Sequence, residues 1–144
     1  MSDLKFNVLA RSETSARTVV EARHFKMIVD EPESLGGSDL GANPVEYVLA
    51  AFAGCLNVVG HLIARELDFT LKGLEIEIEG DLNPDRLMGV PTEDRAGYKS
   101  IRVKISPDSD ADKELLSRWL KIVKERCPVS DNLSNPTPVS IELK

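Results

Sequence analysis

The sequence predicts an α+β domain with antiparallel strands and one long, buried helix. Residues 74–79 alternate between apolar and acidic side chains, which is the period of a strand that is buried on one face. Residues 44–67 follow the helix-starting residue Asn43, begin with Pro44, and open with a run that is apolar on every side, as in a fully buried helix. The segments follow the order strands, helix, strands, helix and strand, which favours this fold class.

The N-terminal residues 1–42 are predicted to form two or three antiparallel strands and a loop. Apolar alternation runs from Phe6 to Ala10, and residues 18–29 are rich in β-branched and other apolar side chains. Residues 31–41 carry the Gly, Pro, Ser and Asp that are typical of a loop. The N-terminal strands are therefore expected to end at this loop.

The central helix is predicted over residues 43–67, and residues 68–144 are predicted to form strands, a second helix and a final strand. Residues 83–97 contain two prolines and two glycines with mixed charge, so they indicate an irregular connection. Residues 100–105 then alternate again. These features predict a solvent-facing hairpin with a long loop.

The second helix is predicted from its cap and its apolar spacing. Asp110 is expected to cap it, and the apolar side chains of residues 115–123 recur at three- and four-residue intervals. The helix is expected to stop at Cys127, because Pro128 disfavours helical geometry in the residue before it. Residues 139–143 are expected to form the final strand.

Length, composition and charge indicate a single domain over residues 1–144, with a net charge of -6. A protein that neutralises many phosphates needs the opposite charge, so nucleic acid is not an expected partner. The start lacks a basic and then apolar leader, and the apolar run at residues 47–56 is too short to cross a hydrocarbon core of about 30 Å. We therefore expect a cytoplasmic protein without a membrane partner.

The central helix is expected to need a second subunit. A two-layer domain of this length seldom surrounds such an apolar helix completely. We therefore infer a homodimer in which the second subunit covers the remaining faces of the helix.

Two cysteines, Cys55 and Cys127, are the candidates for chemistry. Composition alone makes Cys55 an inert core thiol, because its helix neighbours are small or apolar. Two features favour reactivity instead. The preceding small residues let a substrate approach, and Cys127 lies beside a Pro-containing loop from which it could reach an oxidised Cys55. In a reducing compartment such a pair is expected to form only a transient disulfide.

Two motifs carry a family resemblance. Residues 35–56 read LGGSDLGANPVEYVLAAFAGCL, and residues 127–133 read CPVSDNL. Both motifs resemble those of the OsmC-like family, which includes the organic hydroperoxide resistance proteins, in the same order and at a similar separation. The order of strands and helices also resembles the family fold over nearly the whole chain.

The resemblance implies an intertwined homodimer, two active sites at its interface, and a peroxidase that reduces organic hydroperoxides with thiol reductants. Cys55 would attack the peroxide and become a sulfenic acid, and Cys127 would condense with it to a disulfide. A dithiol such as dihydrolipoamide would regenerate the pair. No metal or organic cofactor is implied.

In the peroxidase branch of the family, a strand arginine stabilises the thiolate and a helix glutamate holds that arginine. Arg17 is the first candidate for this cation and Arg23 is the second, since both precede the loop by a similar distance. Glu46 is the candidate glutamate, although Val45 separates it from the Asn-Pro pair, unlike the strict hydroperoxide-resistance pattern. The alternatives are a first-turn carboxylate favoured by the helix dipole and plain surface arginines.

Two other kinds of site fit less well. Gly36 and Gly41 have the first spacing of a phosphate loop, but the required Lys and Ser or Thr do not follow. The two cysteines together with His24 and His61 lack the closely spaced pairs of a zinc site. Besides the peroxidase, a dimer that senses oxidation or binds an apolar ligand stays open, as does a structural dimer with inert thiols.

Overall fold

The computed structural model describes all residues from 1 to 144 and confirms the α+β class. Residues 1–48 and 49–144 form two compact units, and the first helix begins in one unit and continues into the other. A short 3-10 turn follows the third strand. In chain order the elements are β1 (Leu9–Ser12), β2 (Thr18–Ala22), β3 (Phe25–Val29), α1 (Pro44–Glu66), β4 (Leu71–Leu82), β5 (Tyr98–Ser109), α2 (Lys113–Arg126) and α3 (Pro128–Ser134).

The first unit contains an antiparallel sheet in the order β1-β2-β3, which confirms the predicted N-terminal strands. The first strand is displaced from its predicted position, because it begins only at Leu9 and leaves Phe6 and Val8 exposed. The register explains this difference. Leu9 pairs with Glu21, and β2 ends at Ala22, so earlier residues extend beyond the strand that would bond them.

The second unit is built on the long β4–β5 hairpin, as the alternating segments predicted. Acidic residues of β4 lie opposite basic residues of β5, with Glu77 paired to Lys104 and Glu79 paired to Arg102. The period of two therefore gives one charged face and one apolar face. Side chains of the apolar face pack against the core and include Ile76, Ile78, Val103 and Ile105.

The core of the second unit lies between this hairpin, the later turns of α1, and α2. Trp119 is buried there, and its indole Nε1 donates a hydrogen bond of 2.8 Å to the carbonyl oxygen of Gly60. A Cβ atom on residue 60 would lie 3.0 Å from both Trp119 and Leu74, so the glycine permits this close approach. The buried apolar side chains are Leu56, Val59, Ile63, Ala64, Trp119, Val123 and Cys127.

Helix α1 is covered on one side within the single chain. Its core residues lie on one side, whereas Val58 is 66% exposed and Ala50 and Ala51 are exposed as well. The single chain therefore leaves other faces of the helix uncovered, and their cover by a second subunit stays a prediction. The physical reason is that the core of the second unit contacts only one side of this helix.

The cap of α2 is Asp112 and not the predicted Asp110. The Asp112 side chain accepts a hydrogen bond of 2.8 Å from the Leu115 amide, which fixes the first turn. Asp110 lies just before this turn and instead accepts from the Thr70 amide across 3.1 Å. Asp110 therefore links the start of β4 to the segment that precedes α2.

Helix α2 ends at Arg126, as Pro128 predicted. A further helix, α3, follows at once with Pro128 in its first turn, where the missing amide is tolerated. This short helix was not predicted, because the proline was interpreted only as the end of α2.

The expected final strand does not form in the single chain. Residues 135–144 contain no strand and are exposed. A strand needs a neighbour for its backbone hydrogen bonds, and no strand pairs with this segment. The apolar side chains that motivated the prediction lie in solvent, namely Val139, Ile141 and Leu143.

Helix α1 is long and apolar enough to cross a membrane by length and composition, because its apolar window extends beyond residues 47–56. The core helix of a soluble protein has the same properties. The later turns of α1 bury Leu56, Ile63 and Ala64 in the core of the second unit. The length and composition of α1 are therefore weak evidence for a membrane-spanning helix.

Candidate active site

The structure brings the two cysteines together. Cys55 lies in the middle of α1, and Cys127 lies at the junction of α2 and α3. Both are free thiols, and the Cys127 thiol donates to the Cys55 sulfur with an Sγ–Sγ distance of 3.1 Å. Cys127 is fully buried, whereas Cys55 is half-buried. A reagent from solvent therefore meets Cys55 first.

Cys127 is fixed by the two helices that meet at it. Its backbone N–H donates to the Val123 carbonyl at 3.0 Å, which completes α2. Its carbonyl accepts from the Asp131 amide at 3.0 Å, and its sulfur accepts from the Ser130 amide at 3.4 Å, which starts α3. The thiol is therefore held beside α1 by backbone contacts on both sides.

The surroundings of the pair are apolar. Cys127 belongs to the buried core cluster, and Phe52, Cys55 and Val129 pack against that cluster. Burial raises the pKa of the Cys127 thiol, the Ser130 amide opposes this in part, and the nearby Cys55 raises it further. At neutral pH Cys127 is therefore a thiol and not a thiolate.

Arg17 lies in the first unit, directly before β2. Its Nε donates to Glu13 Oε2 at 2.9 Å, and its Nη1 lies 4.0 Å from Asp30 Oδ2. The Arg17 side chain is only 20% exposed. Two carboxylates thus hold the guanidinium in place, unlike that of a free surface arginine. Its action on Cys55 stays a prediction.

Asp30 is a charged residue that the sequence reasoning missed. It is fully buried and accepts from the amides of Glu31 at 2.8 Å, Ser38 at 3.3 Å and Leu40 at 3.2 Å. Burial raises the pKa of this carboxyl, but the three amides and the Arg17 charge outweigh burial and lower it below its usual range. Asp30 therefore ties the glycine-rich loop to the end of β3. The available signal was an aspartate between an apolar strand and that loop.

Glu46 caps α1. Its Oε1 accepts from the Asn43 amide at 3.0 Å, and its own amide donates to Asn43 Oδ1 at 2.9 Å, so the two residues form a capping box. This arrangement matches the alternative of a first-turn carboxylate at the helix start. Arg17 is paired with other carboxylates, so the structure does not join the predicted glutamate to the predicted cation.

The remaining candidates each make local contacts. Arg23 lies in the turn between β2 and β3 with φ of 56°, and its guanidinium lies 4.9 Å from the centroid of the Phe25 ring. His24 shares this turn. His61 Nδ1 is hydrogen-bonded to the Asn57 carbonyl at 3.0 Å. No three His, Cys, Asp or Glu side chains cluster as metal ligands would.

Comparisons with known proteins identify the relatives of this fold. A family model described as OsmC-like protein matches residues 36–142. The structure of an OsmC-like protein from Mycoplasma pneumoniae is similar, with a TM-score of 0.80 at 19% identity over 92% of this chain and 89% of that chain. An organic hydroperoxide resistance protein OsmC from Legionella pneumophila, also described as a predicted redox protein, gives 0.67 at 18% identity over 92% and 91%. An organic hydroperoxide resistance protein from Elizabethkingia anophelis gives 0.66 at 15% identity over 90% and 88%. No curated protein sequence matches this chain at a significant level.

Proposed function

This chain belongs to the OsmC-like protein family, and on that basis we propose that it is a thiol-dependent peroxidase that reduces organic hydroperoxides. The observation that carries the proposal is the contact of two free thiols whose sulfurs lie 3.1 Å apart. If Cys55 is oxidised to a sulfenic acid, the Cys127 thiol therefore lies beside it and can react with it. The relatives from Legionella and Elizabethkingia are described as organic hydroperoxide resistance proteins, which supports this substrate class.

Cys55 is the attacking residue in this scheme. Its thiolate attacks a peroxide oxygen, so an S–O bond forms while the O–O bond breaks. The alkoxide leaves and takes up a proton, which yields Cys55 sulfenic acid and one alcohol. Cys55 fits this step better than Cys127, because Cys127 is fully buried and its pKa is raised.

Cys127 is the resolving residue. Its sulfur attacks the sulfenic sulfur, an S–S bond forms, and the sulfenic oxygen leaves as water. A dithiol such as dihydrolipoamide then reduces the disulfide by exchange and is itself oxidised to a disulfide. All electrons come from the dithiol, so the scheme needs no metal and no organic cofactor.

The proposed functional unit is an intertwined homodimer in the cytoplasm. Val58 on α1 and the C-terminal Ile141 are exposed apolar residues, and such surfaces favour a second copy of the chain as their cover. Light scattering at micromolar concentration should report a dimer. A monomer under these conditions would contradict the assembly without bearing on the thiol chemistry.

The redox proposal is tested by one oxidation experiment. One equivalent of an organic hydroperoxide is added to the reduced protein, free thiols are alkylated, and the product is analysed by mass spectrometry without reduction. We expect a Cys55–Cys127 link, followed by turnover when a dithiol is supplied. Two untouched thiols would exclude every redox function.

A second candidate is a dimer that senses oxidation or binds an apolar ligand, with weak or no turnover. Glu46 caps a helix, and Arg17 pairs with Glu13 and Asp30. These contacts favour this alternative, because they differ from the pairing of an arginine with a helix glutamate in the peroxidase branch. A disulfide that forms without dithiol-dependent turnover would support it.

A further inference from the structure

An ion pair joins the two helices that carry the cysteines. Arg126 Nη1 donates to Glu66 Oε2 at 2.6 Å, and Arg126 Nη2 donates to Glu66 Oε1 at 3.1 Å. Glu66 is the last residue of α1, which carries Cys55, and Arg126 is the last residue of α2, directly before Cys127. One planar guanidinium meets one carboxylate through two bonds, which fixes direction as well as distance.

This ion pair adds a polar contact at one end of α2 to the contacts that already join the two helices. The hydrogen bond from Trp119 to Gly60 fixes α2 on α1 about two turns before Cys127. Buried packing of Val123 and Cys127 in the core also joins this helix to α1. The pair of Arg126 and Glu66 restrains the end of α2, which is the end at which Cys127 lies.

This ion pair is expected to stabilise the fold only slightly. Its side chains are 44% and 47% exposed, and exposed ion pairs contribute little to the free energy of unfolding. Disulfide closure is more sensitive to position, because two sulfurs in contact at 3.1 Å must approach to a bond of about 2.05 Å with a narrow range of dihedral angles. The ion pair is therefore expected to affect the approach of the two sulfurs more than the free energy of unfolding.

We propose that Glu66 and Arg126 are positioning residues for the resolving thiol, because they hold Cys127 in the orientation from which it closes the disulfide with Cys55. The biological meaning rests on the proposed function. Cys55 sulfenic acid either condenses with the Cys127 thiol to give a disulfide and water, or reacts with a second hydroperoxide to give a sulfinic acid and an alcohol. A well-placed Cys127 favours the first outcome, which a dithiol can reverse.

The test uses dithiodipyridine, which measures closure without any peroxide. Cys55 attacks this reagent, forms a mixed disulfide and releases one thiopyridone. Cys127 then attacks the Cys55 sulfur, forms the protein disulfide and releases the second thiopyridone. Glu66→Gln and Arg126→Gln should slow the second phase about threefold to tenfold and leave the first phase unchanged.

Two further variants separate position from a general loss of structure. The double variant Glu66→Arg, Arg126→Glu exchanges the two side chains and keeps one guanidinium opposite one carboxylate. It should therefore restore most of the closure rate. The matched control is Arg102, which donates to Glu79 at 2.9 Å on the charged face of the hairpin and is 46% exposed. Arg102→Gln should leave both phases unchanged.

Closure at the wild-type rate in both glutamine variants would overturn the proposal, as would equal slowing by Arg102→Gln. With excess hydroperoxide, the Glu66→Gln and Arg126→Gln variants should also accumulate more Cys55 sulfinic acid than the wild type. A protein that consumes no hydroperoxide but shows the slowed second phase would refute the proposed function and retain the positioning role. The two failures are therefore distinguishable.

Discussion

The Cys55→Ser variant should lose hydroperoxide reduction, with a rate at least about a thousandfold below that of the wild type. A serine hydroxyl cannot take the oxygen atom that a thiolate takes to become a sulfenic acid. Cys127 cannot replace it, because Cys127 is fully buried and its pKa is raised. Hydroperoxide consumption with an excess of dithiol measures this loss directly.

The Cys127→Ser variant is the matched control and should behave differently. Its first turnover should proceed at nearly the wild-type rate, because Cys55 is unchanged. The reaction should then stop at the sulfenic acid, which dimedone traps, or continue to the sulfinic acid when hydroperoxide is in excess. Equal inactivity of both variants would contradict the assignment of separate steps, and an active Cys55→Ser variant would reverse the two roles.

The same pair of steps should separate with pH in the wild-type protein. Because the pKa of Cys127 is raised, its thiolate is a small fraction at neutral pH, and that fraction grows about tenfold per pH unit until the pH reaches its pKa. The closure rate should therefore rise steeply with pH. Rapid quenching across neutral and alkaline pH would show this rise, and a flat profile would require another base for Cys127.

Local sequence patterns predicted most of the secondary structure, because short-range physics determines it. The alternation at residues 74–79 depends only on the period of a strand with one buried face, and the Asn43 and Pro44 pair depends only on the needs of a helix start. The choice between Asp110 and Asp112 as a cap failed for a related reason. Both residues have the right chemistry, and only the contact of Asp110 with Thr70 separates them.

Features that depend on distant neighbours were not accessible from local patterns. The alternating residues 139–143 have strand composition, yet a strand exists only where another strand accepts its hydrogen bonds. The role of Asp30 likewise depends on a loop that returns to it through Ser38 and Leu40. Composition could not indicate that this carboxylate would be buried.

The candidate site was predicted only through the family resemblance. Local composition made Cys55 an inert core thiol, and no local rule relates it to Cys127, which lies 72 residues later. The crossing of α2 over α1, fixed by Trp119 and Gly60, brings the two sulfurs together. The ion pair of Glu66 and Arg126 was missed because each residue is an ordinary charged side chain at a helix end.

The Arg17→Ala variant should slow the oxidation of Cys55 about tenfold at neutral pH. A cation beside the sulfur favours the reactive thiolate over the thiol, and a loss of about 1.4 kcal/mol of that stabilisation corresponds to about tenfold in rate. Stopped-flow fluorescence can follow the reaction, because Trp119 is the one tryptophan and packs in the same core as Cys127.

Two comparison variants assign the cause of any slowing by Arg17→Ala. Arg23→Ala removes the second candidate cation, which is exposed over Phe25, and should leave the rate unchanged. Asp30→Asn disturbs the loop but keeps the Arg17 charge, so it should slow oxidation less than Arg17→Ala. A slow Arg23→Ala variant with a normal Arg17→Ala variant would move the role to Arg23.

The pH dependence of Arg17→Ala distinguishes an electrostatic role from a structural one. A cation matters only while it increases the thiolate fraction, so the deficit of the variant should disappear at a pH where the thiol ionises unaided. Loss of loop structure has no such dependence, because the amides that bind Asp30 do not titrate in this range. A deficit that persists at alkaline pH would therefore make Arg17 a structural partner of Asp30 and would direct the search for the cation to the second subunit.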